Sequence, residues 1–274
     1  MTGFTEVADR VYVLRHPVLD VNATLVLGGT HALLVDTLST DAQAGELAGS
    51  VRRLTGYPLI LVNTHHHYDH CFGNAGLAGA GTPIWAHETA AARLREHGAR
   101  YQRAAYEEWV ARDPGFAAAL AEVRLAPPDH PVRHVSTVDI GGRVVELRHE
   151  GRGHTDGDLV VRVPDADVLV AGDLVEESGP PDFTEAFPLE WPDTLAALLT
   201  RLTPETVVVP GHGAPVDRAF VQAQHADLSA LDWLIRDGYA DRADEAKLAA
   251  RAPFGLAASL PAVRRGYAAL TGDA

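Results

Sequence analysis

Short apolar runs rich in β-branched residues alternate along this chain with longer segments of helical spacing, and the alternation occurs twice. In the first half Val11-Tyr12-Val13-Leu14, Thr24-Leu25-Val26-Leu27, Ala32-Leu33-Leu34-Val35-Asp36 and Leu59-Ile60-Leu61-Val62 read as buried strands. Asp20, Asn22 and Gly28-Gly29-Thr30 supply the turns between them. A helix is expected over 41–54, with Ser39 or Thr40 as its cap and Gly56 beyond its end. In the second half, strands are expected near 132–140, 143–149, 158–163 and 167–172, followed by helices near 192–202 and 217–236. Residues 87–125 look like a helical insertion rich in Ala and Arg, broken by Gly98 and by Asp113-Pro114-Gly115. Its aromatics Tyr101, Tyr106, Trp109 and Phe116 are expected to pack those helices onto the body. Strand and helix alternating in both halves suggest a four-layer αβ/βα sandwich, which periodicity alone does not separate from other α/β folds.

The 274 residues, 46% of them hydrophobic, suit one large α/β domain over 1–274 with C-terminal helices from about 217. The formal net charge is −14. Such an acidic surface works against binding a phosphate backbone, so nucleic acid is not an expected partner. The N-terminus has neither a basic start nor an apolar core of signal-peptide length, and no run of apolar residues is long enough to span a bilayer. The expected location is therefore the cytoplasm, with no membrane partner. The single cysteine, Cys71, cannot form an internal disulfide.

The chemistry is concentrated in Asn63-Thr64-His65-His66-His67-Tyr68-Asp69-His70-Cys71, directly after the apolar run 59–62. At a strand end the side-chain period of two lets His65, His67 and Asp69 lean one way and His66 and Tyr68 the other, with His70 following in the turn. Imidazole nitrogen and carboxylate oxygen are a ligand set for zinc, and also for iron or manganese. Three further apolar runs lead into Gly153-His154-Thr155, Gly172-Asp173 and Pro210-Gly211-His212-Gly213. One sheet edge would thus collect His65, His67, Asp69, His70, His154, Asp173 and His212. That is too many ligands for one tetrahedral zinc and suits two metals sharing a carboxylate.

These motifs, in this order along most of the chain, resemble the metallo-β-lactamase-fold hydrolase superfamily, in which Thr64 to His70 corresponds to the Thr-His-x-His-x-Asp-His motif. The resemblance implies the four-layer αβ/βα sandwich. It assigns His65, His67 and His154 to a first metal, Asp69, His70 and His212 to a second, and Asp173 to the bridge. This is the pattern of the glyoxalase II-like and lactonase-like branches. It departs from true β-lactamases that carry a cysteine near the Asp173 position. The implied enzyme is a dinuclear, zinc-dependent hydrolase in which a hydroxide bridging the metals attacks a small ester, thioester or lactone, with Asp69 orienting the hydroxide. An iron-dependent redox enzyme of the same fold, of the persulfide dioxygenase kind, and a β-lactam hydrolase are the alternatives.

Around this centre, the proline-rich segment after Asp173 is expected to be an irregular flap whose Phe183, Phe187 and Trp191 wall an apolar substrate pocket. His66 is expected beneath the site as a hydrogen-bonding residue, Cys71 as a small buried residue, and Tyr68 as either a neighbour of the ligands or part of the core.

Overall fold

Successive side chains along each strand face opposite ways, and this sorts the apolar residues into separate layers. In the computed structural model, which describes residues 3–272, β1 (Thr5–Ala8), β2 (Val11–Arg15), β3 (Asn22–Leu27), β4 (Ala32–Val35), β5 (Leu59–Val62), β6 (Ile84–His87) and β7 (His130–Val132) form a seven-stranded sheet in that order. A five-stranded sheet has the order β12 (Val207–His212), β11 (Val168–Glu176), β10 (Val160–Val163), β9 (Val144–Arg148), β8 (Val135–Asp139). Leu33 and Val35 of β4 meet Val145, Val161 and Val170 of the second sheet in a shared inner core. Leu34, between them in sequence, packs outward with Leu47 and Val51 of α1 (Asp41–Leu54). Leu169 and Ala171 of β11 likewise face away from the first sheet, into a layer built with α6 (Trp191–Leu199), α7 (Arg218–Ala240), α8 (Glu245–Ala249) and α9 (Gly255–Thr271). The result is the expected four-layer αβ/βα sandwich.

Parallel neighbours need crossover helices, and these fill the outer layers. β4 and β5 pair in parallel across α1, and β11 and β12 pair in parallel across α6. In open α/β sheets the carboxyl ends of parallel strands are where ligands bind. Here those ends deliver Asp36, Asn63 and His212 to one edge, beside α2 (Tyr68–Cys71) and α3 (Asn74–Leu77). α1 starts where predicted, because the Thr40 hydroxyl accepts the backbone N–H of Gln43.

Three expectations about elements are corrected. The strand expected near 132–140 is two strands in different sheets, β7 and β8, parted at the polar Arg133-His134 where the chain crosses between layers. Gly98 does not break the insertion: α4 (Glu88–Trp109) runs through it, since a side chain there would collide with Leu125. Asp113 does start α5 (Pro114–Glu122), by accepting the N–H of Phe116. β11 does not stop at Asp173 but continues to Glu176. Among the described residues no helix is long and apolar enough to cross a membrane.

Candidate metal centre

β5 ends at Val62, and the chain then turns so that His67 opens α2 and Asp69 and His70 lie on that single turn of helix. The expected alternation is therefore produced by a strand-to-helix turn, not by strand pleating. Asp36, just after β4, fixes this turn: its carboxylate accepts the backbone N–H and the hydroxyl of Thr64, both at 2.8 Å, and meets His70 Nδ1 at 2.8 Å. Asp36 is itself in the left-handed backbone region at φ 63°, unusual for a non-glycine residue and a mark of a constrained site.

Asp173 projects from β11 into the centre. Its Oδ2 lies 3.6 Å from His65 Nε2 and 3.4 Å from both His154 Nε2 and His212 Nε2, while Oδ1 lies 3.2 Å from His70 Nε2. Asp69 Oδ2 is 3.3 Å from His212 Nε2 and 3.6 Å from His70 Nε2. His67 Nδ1 is 2.9 Å from His154 Nε2. The close approach of β12 to Asp173 requires glycine at 211, where a Cβ would overlap Asp173 Oδ1. Gly172 combines φ +55° with Thr64 packed against it, so Asp173 is held against the His65 turn.

Potential ligand atoms within 4.8 Å of one another fall into four groups among the described residues: two main ones, His65–His67–His154–Asp173 and Asp69–His70–His212, and two that overlap them, His66–His67–Glu185 and Asp173–Glu176–His212. Their donor chemistry fits cations. His65 Nε2 and Asp173 Oδ1 are buried and make no hydrogen bond, although a buried polar atom normally finds a partner. The outer nitrogens of several rings are already occupied: His70 Nδ1 by Asp36, His65 Nδ1 by the Thr64 hydroxyl at 3.0 Å, and His212 Nδ1 by the Leu19 carbonyl at 2.7 Å. Such outer contacts leave the inner nitrogens aimed at the centre.

The electrostatics favour positive charge there. Burial pushes His70 down, but Asp173, Asp69 and Asp36 outweigh it and hold this group well above the ordinary imidazole value. In His212 burial is outweighed by Asp173, Asp69 and Glu176, which raise it to about 10. Burial pushes Asp173 up, yet His70, His212, His65 and His154 hold it well below the usual carboxylate range. Burial dominates in His154, lowered to about 4, and in His65, lowered well below its ordinary value.

The metallo-beta-lactamase superfamily model matches residues 16–212, a span that contains all seven of these side chains. The chain belongs to the metallo-beta-lactamase superfamily. It is 28% identical over 131 residues to a metallo-beta-lactamase type 2 of Bacillus cereus, covering 47% of this chain and spanning about half (48%) of that relative. It is 22% identical over 222 residues to the type 2 enzyme of Bacteroides fragilis, covering 77% of this chain and 79% of that protein. A hydroxyacylglutathione hydrolase of Rhodobacter capsulatus is 31% identical over 154 residues, covering 56% of this chain and 47% of that protein. The solved metallo-beta-lactamase from Pontibacter korlensis shares the fold, with a TM-score of 0.67 at 22% identity over 84% of this chain and 99% of that chain.

On this superfamily scaffold a cavity of about 510 Å³ opens onto the centre, with Asp69, His154, Asp173 and His212 in its wall. The aromatic pocket expected from the loop after β11 is not what lines it. Phe183 and Trp191 are 1% and 0% exposed and belong to the outer core, because Trp191 opens α6, donates its indole N–H to the Leu174 carbonyl, and packs its ring on Phe183. Phe187 is taken up by Arg152 and Arg265, which stack over its ring at 4.4 and 5.5 Å. The cavity wall is instead formed by Tyr68, Tyr101, Glu108 and Glu185.

His66 stands outside the two main groups, its side chain fully buried among the residues that line the cavity; its Nε2 meets Glu185 Oε2 at 3.1 Å. Cys71 is buried, with its thiol donated to the His66 carbonyl. Tyr68 accepts the indole N–H of Trp109 at 2.7 Å, which ties the insertion to the centre. Tyr101, Trp109 and Phe116 pack on the cluster that holds Cys71 and Phe72, as expected, and Tyr101 also reaches the cavity, whereas Tyr106 is exposed. Asp36 and Glu185 escaped the sequence reading. Asp36 had a signal, a carboxylate closing an apolar strand next in the sheet to the His-rich one. Glu185 had none.

Proposed function

We propose that this chain is a dinuclear metal-dependent hydrolase of small esters, thioesters or lactones, with His65, His67 and His154 holding one metal, Asp69, His70 and His212 the other, and Asp173 between them. The observation that carries the reading is Asp173, whose two oxygens lie within 3.2–3.6 Å of imidazoles from both groups. Zinc is the proposed ion, and the nitrogen and carboxylate set also suits iron or manganese. When bound, such metals bring the pKa of a coordinated water to about 7 and polarise a substrate carbonyl. The residues supply position. Asp36, Thr64 and the Leu19 carbonyl hold the imidazoles in orientation. Asp69, at the cavity wall and 8% exposed, keeps carboxylate acceptor capacity for orienting a water against a bound carbonyl. The glutathione-thioester hydrolase among the relatives supports thioester chemistry. A cytoplasmic location completes the proposal.

A second reading, β-lactam hydrolysis, is favoured by the named activity of the relatives from Bacillus cereus and Bacteroides fragilis. The carboxylate at position 173, where some β-lactamases have a cysteine ligand, weighs against it. The test is hydrolysis of ester, thioester, lactone and β-lactam panels by zinc-loaded, chelated and reloaded protein. Turnover of a carbonyl ester, thioester or lactone that disappears on chelation and returns with zinc is expected. Activity indifferent to chelation overturns the proposal, and preferred β-lactam turnover selects the second reading. Elemental analysis of unsupplemented protein separates the redox alternative: about two zinc per chain are expected, against about one iron with oxygen uptake.

A further inference from the structure

We infer that the cavity selects substrates whose non-reacting part carries a positive charge, an ammonium or guanidinium, and disfavours anionic ones. This rests on the hydrolase reading and names its substrate class. Six carboxylates line the cavity, and among the described residues no lysine or arginine does. Asp69 and Asp173 belong to the proposed ligand set, so their charge is set against the cations they would hold, and Glu176 lies against Asp173 and His212. Glu108, from the last turn of α4, and Asp182 and Glu185, from the loop after β11, are left to face whatever enters.

The cavity is the mouth of the proposed metal centre and not merely an acidic surface. The cavity opens onto Asp173, 6% exposed, whose Oδ1 accepts no hydrogen bond. Tyr68 and Tyr101 share its wall. Nearby arginines are committed elsewhere. Arg93 grips both oxygens of Asp156 and donates to the Tyr101 hydroxyl. Arg265 donates to the carbonyls of Ala186 and Thr184, which shapes the loop that carries Glu185. Arg112 lies 5.9 Å over Trp109 and is not part of the wall. Glu185 is held by His66 on one oxygen, and the side chain stays about a third exposed, 37%, so its charge remains available at the wall. Away from the metal centre, a glutathione thioester or a carboxylate-bearing β-lactam would meet like charge, with no lysine or arginine among the described lining residues to receive it.

The test uses phenyl thioesters of β-alanine, N-acetyl-β-alanine and succinate, which share a reacting group and differ in charge. Zinc-loaded protein is expected to favour the ammonium over the carboxylate member by at least about tenfold in kcat/KM at low salt, the ratio narrowing as salt is added. In the E108Q/D182N/E185Q variant that ratio should fall to within about twofold. A wild-type preference for the succinyl thioester, or a ratio unmoved in the variant, overturns the inference. Calorimetric binding of cysteamine, 2-mercaptoethanol and 3-mercaptopropionate to the zinc-loaded protein reads the same preference without turnover. If no ester, thioester or lactone is hydrolysed but cysteamine still binds most tightly, the hydrolase reading fails and the charge preference stands. Turnover combined with tightest binding of 3-mercaptopropionate keeps the first and sinks the second.

Discussion

The two groups of ligands are held in different ways. In Asp69–His70–His212, each imidazole has its outer nitrogen engaged by an acceptor: a carboxylate 2% exposed for His70, and the Leu19 carbonyl, in the turn between β2 and β3, for His212. In His65–His67–His154, only His65 has such a contact, to a hydroxyl; His154 Nδ1 is buried with no partner, and His67 Nε2 lies 3.7 Å from Glu185. The first-named group is thus fastened by a buried carboxylate and a backbone carbonyl, whereas the second leans on side chains, one of them in an irregular loop. Charge follows the same division. Burial is outweighed by surrounding carboxylates in His70 and His212, which are raised, and it dominates in His65 and His154, which are lowered. His67 alone crosses the division: burial lowers it, but Glu185, Asp69 and Asp173 leave it raised.

Asp173→Ala should abolish the comparison by damaging both groups, since this carboxylate lies against imidazoles of each. Loss of at least one metal per chain and a fall in kcat of more than about a hundredfold are expected, read by elemental analysis and steady-state kinetics. Retention of both metals at unchanged rate would remove Asp173 from the centre. Asp36→Ala should act on one group only. Orienting partners of this kind typically contribute ten- to a hundredfold in metal affinity, so about that loss is expected for the Asp69–His70–His212 metal, with the other group retained. Equal weakening of both metals would mean that Asp36 supports the turn as a whole and not His70 in particular.

The sequence carried the candidate ligands openly, because metal chemistry demands particular side chains and the turns that present them demand glycine. His65 to His70 lie within one turn, and Gly153, Gly172 and Gly211 each sit beside a ligand. Most strands were equally legible from their apolar runs, whereas β1 and β6 were not among those expected. What stayed hidden depends on contacts between distant segments. Asp36 matters because β4 and β5 pair in parallel, bringing it 34 positions away in sequence to His70. Glu185 reaches His66 across 119 positions. Phe183 and Trp191 looked like pocket walls because proline-rich loops beside metal motifs often are, but an indole that finds a carbonyl and a second ring becomes core. Composition does not distinguish the two outcomes.

A pH titration of metal uptake sharpens the charge difference. Ligand imidazoles must be neutral, so raised groups have to lose protons before a cation binds. In chelated protein, zinc uptake by the Asp69–His70–His212 group should improve as the pH rises from 6 toward the value of about 10 for His212. Uptake by the other group should depend less on pH, with His154 at about 4 already neutral and only His67 raised. The linkage for folding has the opposite sign. The His212 contribution to the stability of chelated protein is complete below the unfolded value of about 6.5. It is lost as pH rises through about 10. Chelator competition at pH 6 and 8.5, with one metal equivalent resolved from the other, checks the uptake; parallel pH slopes for both equivalents would erase the distinction.

The smallest expected effect concerns the looser group's outer contact. His66 lies inside the motif, yet it touches Glu185 at 3.1 Å and the ring of Tyr101 at 4.9 Å between centroids, and stands outside the His65–His67–His154–Asp173 group. His66→Gln keeps a side chain able to reach Glu185 while removing the ring from the cavity wall. It should retain both metals and most of the turnover, with a change of a few-fold at most, mainly in KM because the wall and not the ligand set is altered. His67→Gln is the control, and should lose the metal of its group. If the two variants lose metal equally, His66 is a ligand in its own right. The turn after β5 would then present its side chains in a different phase from the one that Asp36, Thr64 and His70 define.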